Sequence, residues 1–393
     1  MKHFVIGPVR LVTLDGIREN AEVEVKDGKI LAVRDYQKET ALPRVDGEGY
    51  YLAPGFVDLH VHGGGGSDFM DGTPEAFKAA AKSHMQHGTT AMAPTTLTAS
   101  LDELCGVFDV LREVKASPEA AAMPELLGIH MEGPYVASSQ AGAQDPKYIR
   151  CPEDGSYKVL AEAAKDAILI WTVAPELPGA AKICEDLRKT GIRFSLGHTE
   201  AQYKHVKEAV DSGYTMATHL FSSMSTITRE NGFRRLGAIE SSLLLDEIEV
   251  EVIADGMHLP PELLQLIYKI KGKNKMILVT DAMRGAGMPD GIYKLGSLKQ
   301  GQDVLVGGGI ARMPDGISFA GSSATTDRLV RVMTKQVGLP LHEAVAMMTY
   351  NPAKAVGLED RIGQIQPGLD ADIVLFNENI DIQKVFIKGE QTA

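Results

Sequence analysis

Short apolar runs alternate with segments of helical period through the middle of the chain. Apolar positions recur at helical spacing in segments such as 74–87, 101–115, 201–213 and 260–272. The eight apolar runs between and around them cover residues 56–62, 89–97, 126–134, 168–176, 192–200, 214–221, 250–258 and 276–283. This repeated strand–helix alternation predicts an α/β fold with a (β/α)8 TIM barrel, which we place at residues 55–356.

The two ends of the chain have a different pattern from the middle. Residues 22–33 form an apolar alternation that is interrupted by an Asp-Gly pair, a strong signal for a hairpin turn. Residues 370–376 and 383–390 have the pattern of two further strands separated by polar turns. Because neither end alone could form a stable sheet, we predict one small β-sandwich domain built from both termini. Its predicted segments are residues 1–54 and 357–393.

Composition and charge argue against several classes of partner. The chain has 393 residues and a net charge of −12, whereas a nucleic-acid-binding protein needs a basic face. It has no apolar run of about 18 residues, so we predict no membrane span, and the first residues lack the features of a signal peptide. The three cysteines, Cys105, Cys151 and Cys184, are far apart and lack C-x-x-C spacing. They are typical of free thiols in a cytoplasmic protein.

Side chains that could bind metal or transfer protons follow most of the predicted barrel strands. All strands of such a barrel end at one face, where active sites lie, so these side chains should converge there. They are His60, His62, Glu132, His198, His219, His258 and Asp281. His60 and His62 are two residues apart on one strand and therefore point to the same side, where both could bind one metal ion.

Several imidazoles and two carboxylates in one cavity need charge compensation, which a divalent cation supplies. This donor set suits zinc, iron, manganese or cobalt rather than calcium. A single histidine at a strand end is more often structural, but this combination is hard to explain by packing. Asp281 is placed to take a proton from a metal-activated water. His130, two residues before Glu132, could also face inward, but we expect it to be structural.

Motifs along nearly the whole chain carry a family resemblance. They are "APGFVDLHVHG", "GTTAMAPTT", "LLGIHMEGPYV", "SLGHTEA", "ATHLFSSM", "IADGMH", "LVTDAM", "FAGSS", "NPAKAVGL" and "IGQIQPGLDADIVLF". Together they resemble the amidohydrolase superfamily and, within it, the N-acetylglucosamine-6-phosphate deacetylases. The resemblance implies a barrel with a β-sandwich built from both termini. It also implies hydrolysis of the acetamide of N-acetylglucosamine 6-phosphate to glucosamine 6-phosphate and acetate in amino-sugar metabolism.

The resemblance also assigns the metal ligands. It implies one ion held by Glu132, His198 and His219, and a second ion held by His60 and His62. Glu132 would bridge the two ions, and Asp281 would lie beside them as the catalytic acid–base. We therefore expect one or two divalent ions per chain, with zinc or iron preferred and manganese or cobalt possible.

The substrate contacts and the partner implied by the resemblance complete the predicted site. The substrate-binding residues would be Ala143, Gln144, Ser222, Ser223, Arg229, His258, Phe319, Ala320, Gly321 and Ser322. The arginine would come from the second subunit of a homodimer with a shared active site, and Arg234 and Arg235 are alternatives for this role. The sequence departs from the family at "HLFSSM", where relatives commonly have H-L-Y-N-A-M.

This departure keeps other functions open. The nearest alternative is a deacetylase for another N-acetylated sugar phosphate, such as N-acetylgalactosamine 6-phosphate. A non-catalytic metal-holding barrel is a second alternative, although such a protein has no need of Asp281 as a base. A deaminase or dihydropyrimidinase-like hydrolase is a third, but no bridging lysine stands at the position of Glu132.

Overall fold

Parallel strands form the predicted barrel in the computed structural model, which describes residues 2–316 and 318–393. The eight barrel strands are Phe56–Val61, Thr89–Thr96, Ile129–Glu132, Ile168–Thr172, Arg193–Leu196, Tyr214–Ala217, Glu249–Val252 and Met276–Leu278. Seven of the predicted apolar runs contain one of them and the run 250–258 overlaps Glu249–Val252, so the predicted fold class is confirmed. The amide of Asp281 donates to the carbonyl of His60 at 2.8 Å and joins the last strand to the first.

Helices surround the barrel, and the first two begin at residues with clear capping roles. Their bounds are Pro74–Met85, Leu101–Ala116, Tyr157–Ala164, Ala180–Leu187, Tyr203–Ser212, Ala238–Leu244, Pro261–Lys271, Thr326–Lys335, Leu341–Met348 and Tyr350–Ala355. Thr73 accepts a hydrogen bond from the Ala76 amide, and a proline follows it at the first helical position. Ser100 and Glu103 form a capping box before the second helix. The four segments predicted to be helical all contain helices.

Strands from both ends of the chain pair in one eight-stranded sheet. Its strands are His3–Thr13, Gly16–Lys26, Lys29–Asp35, Arg44–Val45, Tyr51–Pro54, Ile373–Phe376, Ile382–Ile387 and Glu390–Gln391. Tyr51–Pro54 pairs with a strand from each end, parallel to His3–Thr13 and antiparallel to Ile373–Phe376. This confirms that both termini build one β-structure, whereas the domain boundaries at residues 54 and 357 stay a prediction. The predicted hairpin turn is present, with positive φ at Asp27 and Gly28.

Besides a short antiparallel pairing of Gly63–Gly64 with Ser67–Asp68, two smaller sheets were not predicted. Gly291–Leu295, Gln302–Gly307 and Ile310–Arg312 form an antiparallel sheet between the last barrel strand and the helix that begins at Thr326. Thr228–Glu230 and Phe233–Arg235 form an exposed hairpin, which we call the arginine hairpin. Both sheets belong to connections that follow barrel strands, on the side where the candidate site lies.

The apolar core has an inner and an outer part. Ile170, Met216 and Ile277 belong to a buried cluster inside the barrel, and alternate residues such as Trp171 and Leu278 join the cluster beneath the helices. No helix of the described ranges is long and apolar enough to cross a membrane.

Candidate active site

The histidine pair at the end of the first barrel strand lies buried at the mouth of the barrel. His60 Nε2 and His62 Nε2 are 3.3 Å apart, and the exposed fractions of these residues are 0% and 2%. Asp281 follows the last barrel strand, and its Oδ1 is 3.5 Å from His60 Nε2 and 3.2 Å from His62 Nε2. These three side chains therefore converge as the sequence predicts.

Glu132 stands between this pair and two further histidines. Its Oε1 is 3.0 Å from His198 Nε2 and 2.8 Å from His219 Nε2. The same oxygen is 3.6 Å from His60 Nε2, and Oε2 is 3.4 Å from His62 Nε2. One carboxylate thus faces all four imidazoles, which is the arrangement needed for a ligand that bridges two ions.

The spacing of these atoms fits a metal centre. Ligands about 2.0–2.2 Å from a tetrahedral ion lie roughly 3.4 Å from one another, close to most of the separations seen here. Among the described residues, three groups of three donor atoms meet within 4.8 Å, and two of them belong to this cluster: His60 with Glu132 and His219, and His60 with His62 and Asp281. The third group is His60 with His130 and Glu251, on the other side of the His60 ring. The donors are imidazole and carboxylate groups, and they can hold a divalent transition metal.

The second ring nitrogens support this interpretation. A metal-binding histidine usually donates its other N–H to a carbonyl or carboxylate, which leaves a lone pair for the ion. Three of the four imidazoles have such an acceptor at Nδ1, namely Glu251 for His60 at 3.3 Å, the Thr95 carbonyl for His62 at 3.3 Å, and the Gln140 carbonyl for His198 at 2.8 Å. The Nδ1 of His219 is buried and has no hydrogen-bond partner among the described residues.

The backbone turns sharply after three of the barrel strands, at residues that belong to the cluster. His198, His219 and Asp281 all have positive φ, at 47°, 29° and 48°. Such a conformation costs a non-glycine residue about 1–3 kcal/mol and is concentrated at functional sites. The strain is explained if each turn aims a side chain at the common centre.

The electrostatics of the cluster are those of closely spaced opposite charges. Burial alone would raise the pKa of Glu132, but the histidines around it, His198 first, hold that pKa well below its usual range. Burial alone would lower the pKa of His219, but its hydrogen bond to Glu132 raises it to about 9. For His60, burial dominates and lowers the pKa well below its usual value. The carboxylates therefore attract positive charge to a site from which water is largely excluded.

A cavity opens directly above the cluster. It is lined by His62, Leu97, Glu132, Gly142, Ala143, Gln144, His198, His219, Ser222, Ser223, His258, Asp281, Leu295, Phe319 and Gly321. Most of the predicted substrate residues are among them. Gln144 is fixed in orientation, because its Nε2 donates to Glu132 Oε2 at 2.6 Å and its Oε1 accepts from the Thr98 amide at 2.7 Å. His258 is held by Asp255 at 2.9 Å.

Three predicted substrate residues are not among the described residues that line this cavity. Ala320 is fully buried in an apolar cluster beneath it. Ser322 donates through its hydroxyl to the Thr280 carbonyl and through its amide to the Asp281 carbonyl, so it supports the backbone of the site. Arg229 lies on the exposed arginine hairpin.

The glycines after the histidine pair serve packing against the first helix. A side chain at Gly64 would place its Cβ 2.7 Å from His84 Nε2, and one at Gly63 would lie 2.2 Å from the Ser67 carbonyl oxygen. The His84 ring in turn hydrogen-bonds to the Gly63 carbonyl at 2.9 Å. The close neighbours of these two glycines are therefore other parts of the protein.

Sequence reasoning missed Leu97, Gly142 and Leu295, which line the cavity, and Glu251, which lies behind it. Leu295 enters the cavity from the unpredicted antiparallel sheet, and no sequence signal linked that segment to the site. Glu251 lies fully buried behind His60, and burial raises its pKa to about 8. By contrast, both ring nitrogens of His130 have protein partners, the Leu59 carbonyl and Thr172 Oγ1, as expected for a structural residue.

Comparisons with known proteins agree with this geometry. The amidohydrolase family matches residues 51–392. The chain is 34% identical to the N-acetylglucosamine-6-phosphate deacetylase of Lysinibacillus sphaericus, over 98% of this chain and 96% of that protein. It is 30% identical to the N-acetylgalactosamine-6-phosphate deacetylase of Escherichia coli, over 98% of each. The structure of a mutant N-acetylglucosamine-6-phosphate deacetylase from Mycobacterium smegmatis in complex with N-acetylglucosamine 6-phosphate superposes with a TM-score of 0.91 at 30% identity, covering 100% of both chains. The chain therefore belongs to the amidohydrolase family.

Proposed function

We propose that this protein hydrolyses the acetamide of N-acetylglucosamine 6-phosphate, giving glucosamine 6-phosphate and acetate. The observation that carries the proposal is Glu132 facing four imidazoles, with Asp281 3.2 Å from one of them, at the floor of a cavity. The deacetylases named above share the fold and the length of this chain. The reaction would serve the breakdown or recycling of amino sugars in the cytoplasm.

The geometry supports one assignment of the metal ligands. Glu132, His198 and His219 would hold one divalent ion, while His60 and His62, with Asp281, would hold a second that Glu132 shares. Zinc or iron fits the donors best, and manganese or cobalt could replace them. When bound, such an ion acidifies water and polarises a carbonyl oxygen.

The side chains of the chain itself supply proton transfer and orientation. Asp281 Oδ1 takes a proton from the attacking water and later delivers it to the nitrogen of the leaving amine. The net change is addition of one water across the C–N bond, which leaves acetate and the amino sugar. Gln144, fixed by its two hydrogen bonds, presents its side chain beside the reacting amide.

The sugar phosphate needs a local set of donors because the chain as a whole is acidic. His258 and the Ser222-Ser223 segment line the cavity and offer such donors. Arg229 of a second subunit would complete the phosphate site, so we propose a homodimer with shared active sites. An arginine–phosphate contact is charge-assisted and often bidentate, which suits this role.

A second substrate also has support. The Escherichia coli relative acts, by its name, on N-acetylgalactosamine 6-phosphate, and Ser222 and Ser223 stand where this sequence departs from the H-L-Y-N-A-M pattern of the family it resembles. The epimers differ at a single hydroxyl, and a site built to hydrogen-bond that hydroxyl can discriminate strongly.

A panel of substrates tests both proposals. Acetate release would be measured for N-acetylglucosamine and N-acetylgalactosamine, each with and without the 6-phosphate. We expect the highest kcat/KM for N-acetylglucosamine 6-phosphate. A higher value for the galactosamine epimer would establish the second substrate instead. No release from any of the four sugars by metal-loaded protein would refute deacetylation.

A further inference from the structure

Glu251 occupies the seventh barrel strand, Glu249–Val252, and its side chain points into the barrel. The residue has no exposed surface. Its neighbours Val250 and Val252 belong to the outer apolar cluster, which leaves Glu251 on the inner face. A carboxyl group in this position is costly unless it has a partner, so its presence calls for an explanation.

The contacts of Glu251 lead directly to two candidate metal ligands. Its Oε2 is 3.3 Å from His60 Nδ1 and 3.4 Å from the backbone amide of His219. Its Oε1 is buried and has no hydrogen-bond partner in the described structure. The side chain is therefore oriented by the two ligands, one from each proposed ion site.

His60 can point its Nε2 lone pair at the cluster only if the proton sits on Nδ1. That nitrogen needs an acceptor, and Glu251 Oε2 is the acceptor at Nδ1. The ring of His130 packs against His60 at 4.6 Å, but both of its nitrogens already bond to other groups. His130 therefore cannot take over this role without giving up one of those bonds.

Glu251 also differs in kind from the other acceptors. The Nδ1 atoms of His62 and His198 bond to backbone carbonyls, which are neutral and present whatever the side chain. His60 alone among these three relies on a carboxyl side chain. The orientation of His60 therefore depends on one residue that a single substitution can change.

We infer that Glu251 is a positioning residue that fixes the Nδ1–H tautomer of His60 and thereby sets the affinity for the ion held by His60 and His62. The inference rests on the proposed function only in that it assumes this cluster binds metal. Loss of an acceptor of this kind usually costs about 10- to 100-fold in metal affinity. The ion held by Glu132, His198 and His219 should be affected less, because Glu251 touches only a backbone amide there.

Metal binding by the purified protein tests this without any measurement of activity. The variants are Glu251→Leu, which removes the acceptor, and Glu251→Gln, which keeps an acceptor oxygen at nearly the same size. Asp372→Asn is the matched control, since Asp372 is a buried carboxyl that directly precedes the strand Ile373–Phe376 and accepts a hydrogen bond from the Lys388 amide. Stripped protein would be titrated with zinc against a chromophoric chelator, and thermal unfolding of each stripped variant would check its fold.

We expect two zinc equivalents in the unaltered protein. In Glu251→Leu, one equivalent should weaken by about 10- to 100-fold while the other stays tight. Glu251→Gln should weaken the same equivalent less, and Asp372→Asn should match the unaltered protein. If Glu251→Leu does not fold, the test becomes a comparison of zinc affinity between Glu251→Gln and Asp372→Asn, and only Glu251→Gln should bind one equivalent more weakly.

Three outcomes would overturn the inference. The first is unchanged affinity for both ions in the folded Glu251 variants, and the second is an equal loss in Asp372→Asn. The third is a single zinc equivalent in the unaltered protein, a result that leaves a one-metal deacetylase possible. Conversely, the expected pattern without deacetylation of any sugar would support the role of Glu251 and refute the proposed reaction.

Discussion

Arg284 and Asp71 form a buried bidentate salt bridge that joins the loop after the last barrel strand to the loop after the first. Arg284 Nη1 is 2.8 Å from Asp71 Oδ2, and Nη2 is 2.7 Å from Oδ1. The same guanidinium donates to the carbonyls of Gly66, Lys294 and Gly296. The pair thus joins residues 63–66, which we call the glycine loop, to the antiparallel sheet that carries Leu295 beside the active site.

Removal of one partner of this pair should destabilise the protein strongly. Arg284→Met leaves the Asp71 carboxylate buried without its guanidinium, and breaking a buried pair in this way costs about 3–5 kcal/mol. The free energy of unfolding in urea would measure the effect. Lys182→Met is the control, because Lys182 pairs with Asp186 in an exposed position, where the loss should be below about 1 kcal/mol. A similar small effect for both variants would contradict a structural role for the buried pair.

The packing of the glycine loop gives a second stability prediction. Gly64→Ala puts a methyl group 2.7 Å from His84 Nε2, so the buried ring must move, and we expect a loss of about 1–3 kcal/mol from overpacking. Gly106→Ala is the matched control, since it lies in the helix Leu101–Ala116 with nothing within 4 Å of the added Cβ. Gly106→Ala should raise the free energy of unfolding by about 0.5–1 kcal/mol. Unfolding free energies that do not differ between the two variants would show that the loop tolerates the methyl group.

The barrel and the metal cluster can be predicted from the sequence because both depend on local signals. Each strand is a short apolar run, and His60, His62, Glu132 and Asp281 stand where such a run ends. Parallel strands that all end on one face bring these residues together without any knowledge of the loops. Convergence of the site could therefore be predicted even though its distances could not.

The role of Glu251 could not be predicted from the sequence, and the reason is physical. In the segment "EVEV", two glutamates alternate with two valines. Glu249 is only half-buried, whereas Glu251 is completely buried. An alternating strand normally turns its charged face to water, so the pattern favours the wrong face. Only the packing of the valines beneath the helices shows that Glu251 points inward.

Long-range contacts between loops are the other part that sequence patterns miss. Arg284 and Asp71 are separated by 213 positions. Each lies in a loop whose sequence does not indicate a distant partner. The sheet that contains Leu295 was not predicted either, because its glycine-rich turns do not distinguish it from an irregular loop. These features depend on where the loops meet, which local periodicity does not encode.

Metal content should follow the two ligand sets. We expect elemental analysis of protein purified without chelator to find more than one divalent ion per chain. The double variant His60→Ala with His62→Ala should lose about one ion and retain the ion at Glu132, His198 and His219. A chelator that strips both ions should abolish deacetylation, and added zinc or iron should restore it. Unchanged metal content in the double variant would exclude the second site.

Asp281 should be necessary for turnover but not for folding. Asp281→Asn keeps the size of the side chain and removes the group that takes and returns the proton, so kcat should fall by at least about 10²-fold. KM for the sugar phosphate and the thermal unfolding midpoint should change little. The readouts are steady-state acetate release and a thermal melt of the metal-loaded protein. Near-normal turnover in this variant would remove Asp281 from proton transfer.

The arginine hairpin offers a prediction about the phosphate and the assembly. Arg229 and Arg234 are cross-strand neighbours, so their side chains leave the same face of the hairpin, whereas Arg235 pairs with Glu230 at 3.0 Å. All of these residues are exposed. The proposed homodimer assigns the exposed Arg229 side chain to the phosphate bound in a second chain.

Loss of such a contact should be specific for phosphorylated substrate. An arginine–phosphate hydrogen bond contributes about 1.5–3 kcal/mol, so Arg229→Ala should lower kcat/KM for the 6-phosphate sugar by roughly 10- to 150-fold. The unphosphorylated sugar should be barely affected. Arg234→Ala asks whether the neighbouring arginine serves instead, and Arg188→Ala controls for the loss of an exposed positive charge.

Mixed oligomers provide the decisive measurement for Arg229. If Arg229 acts across an interface, a hybrid of an Arg229→Ala subunit and an Asp281→Asn subunit contains one site in which both residues are intact. Mixing the two variants should then restore part of the activity on the 6-phosphate sugar, because each variant supplies what the other lacks. Subunit exchange would be verified by mass, using one tagged partner. Absence of restoration despite exchange, or an equal loss on both sugars in Arg229→Ala alone, would show that Arg229 does not bind the phosphate of a neighbouring subunit.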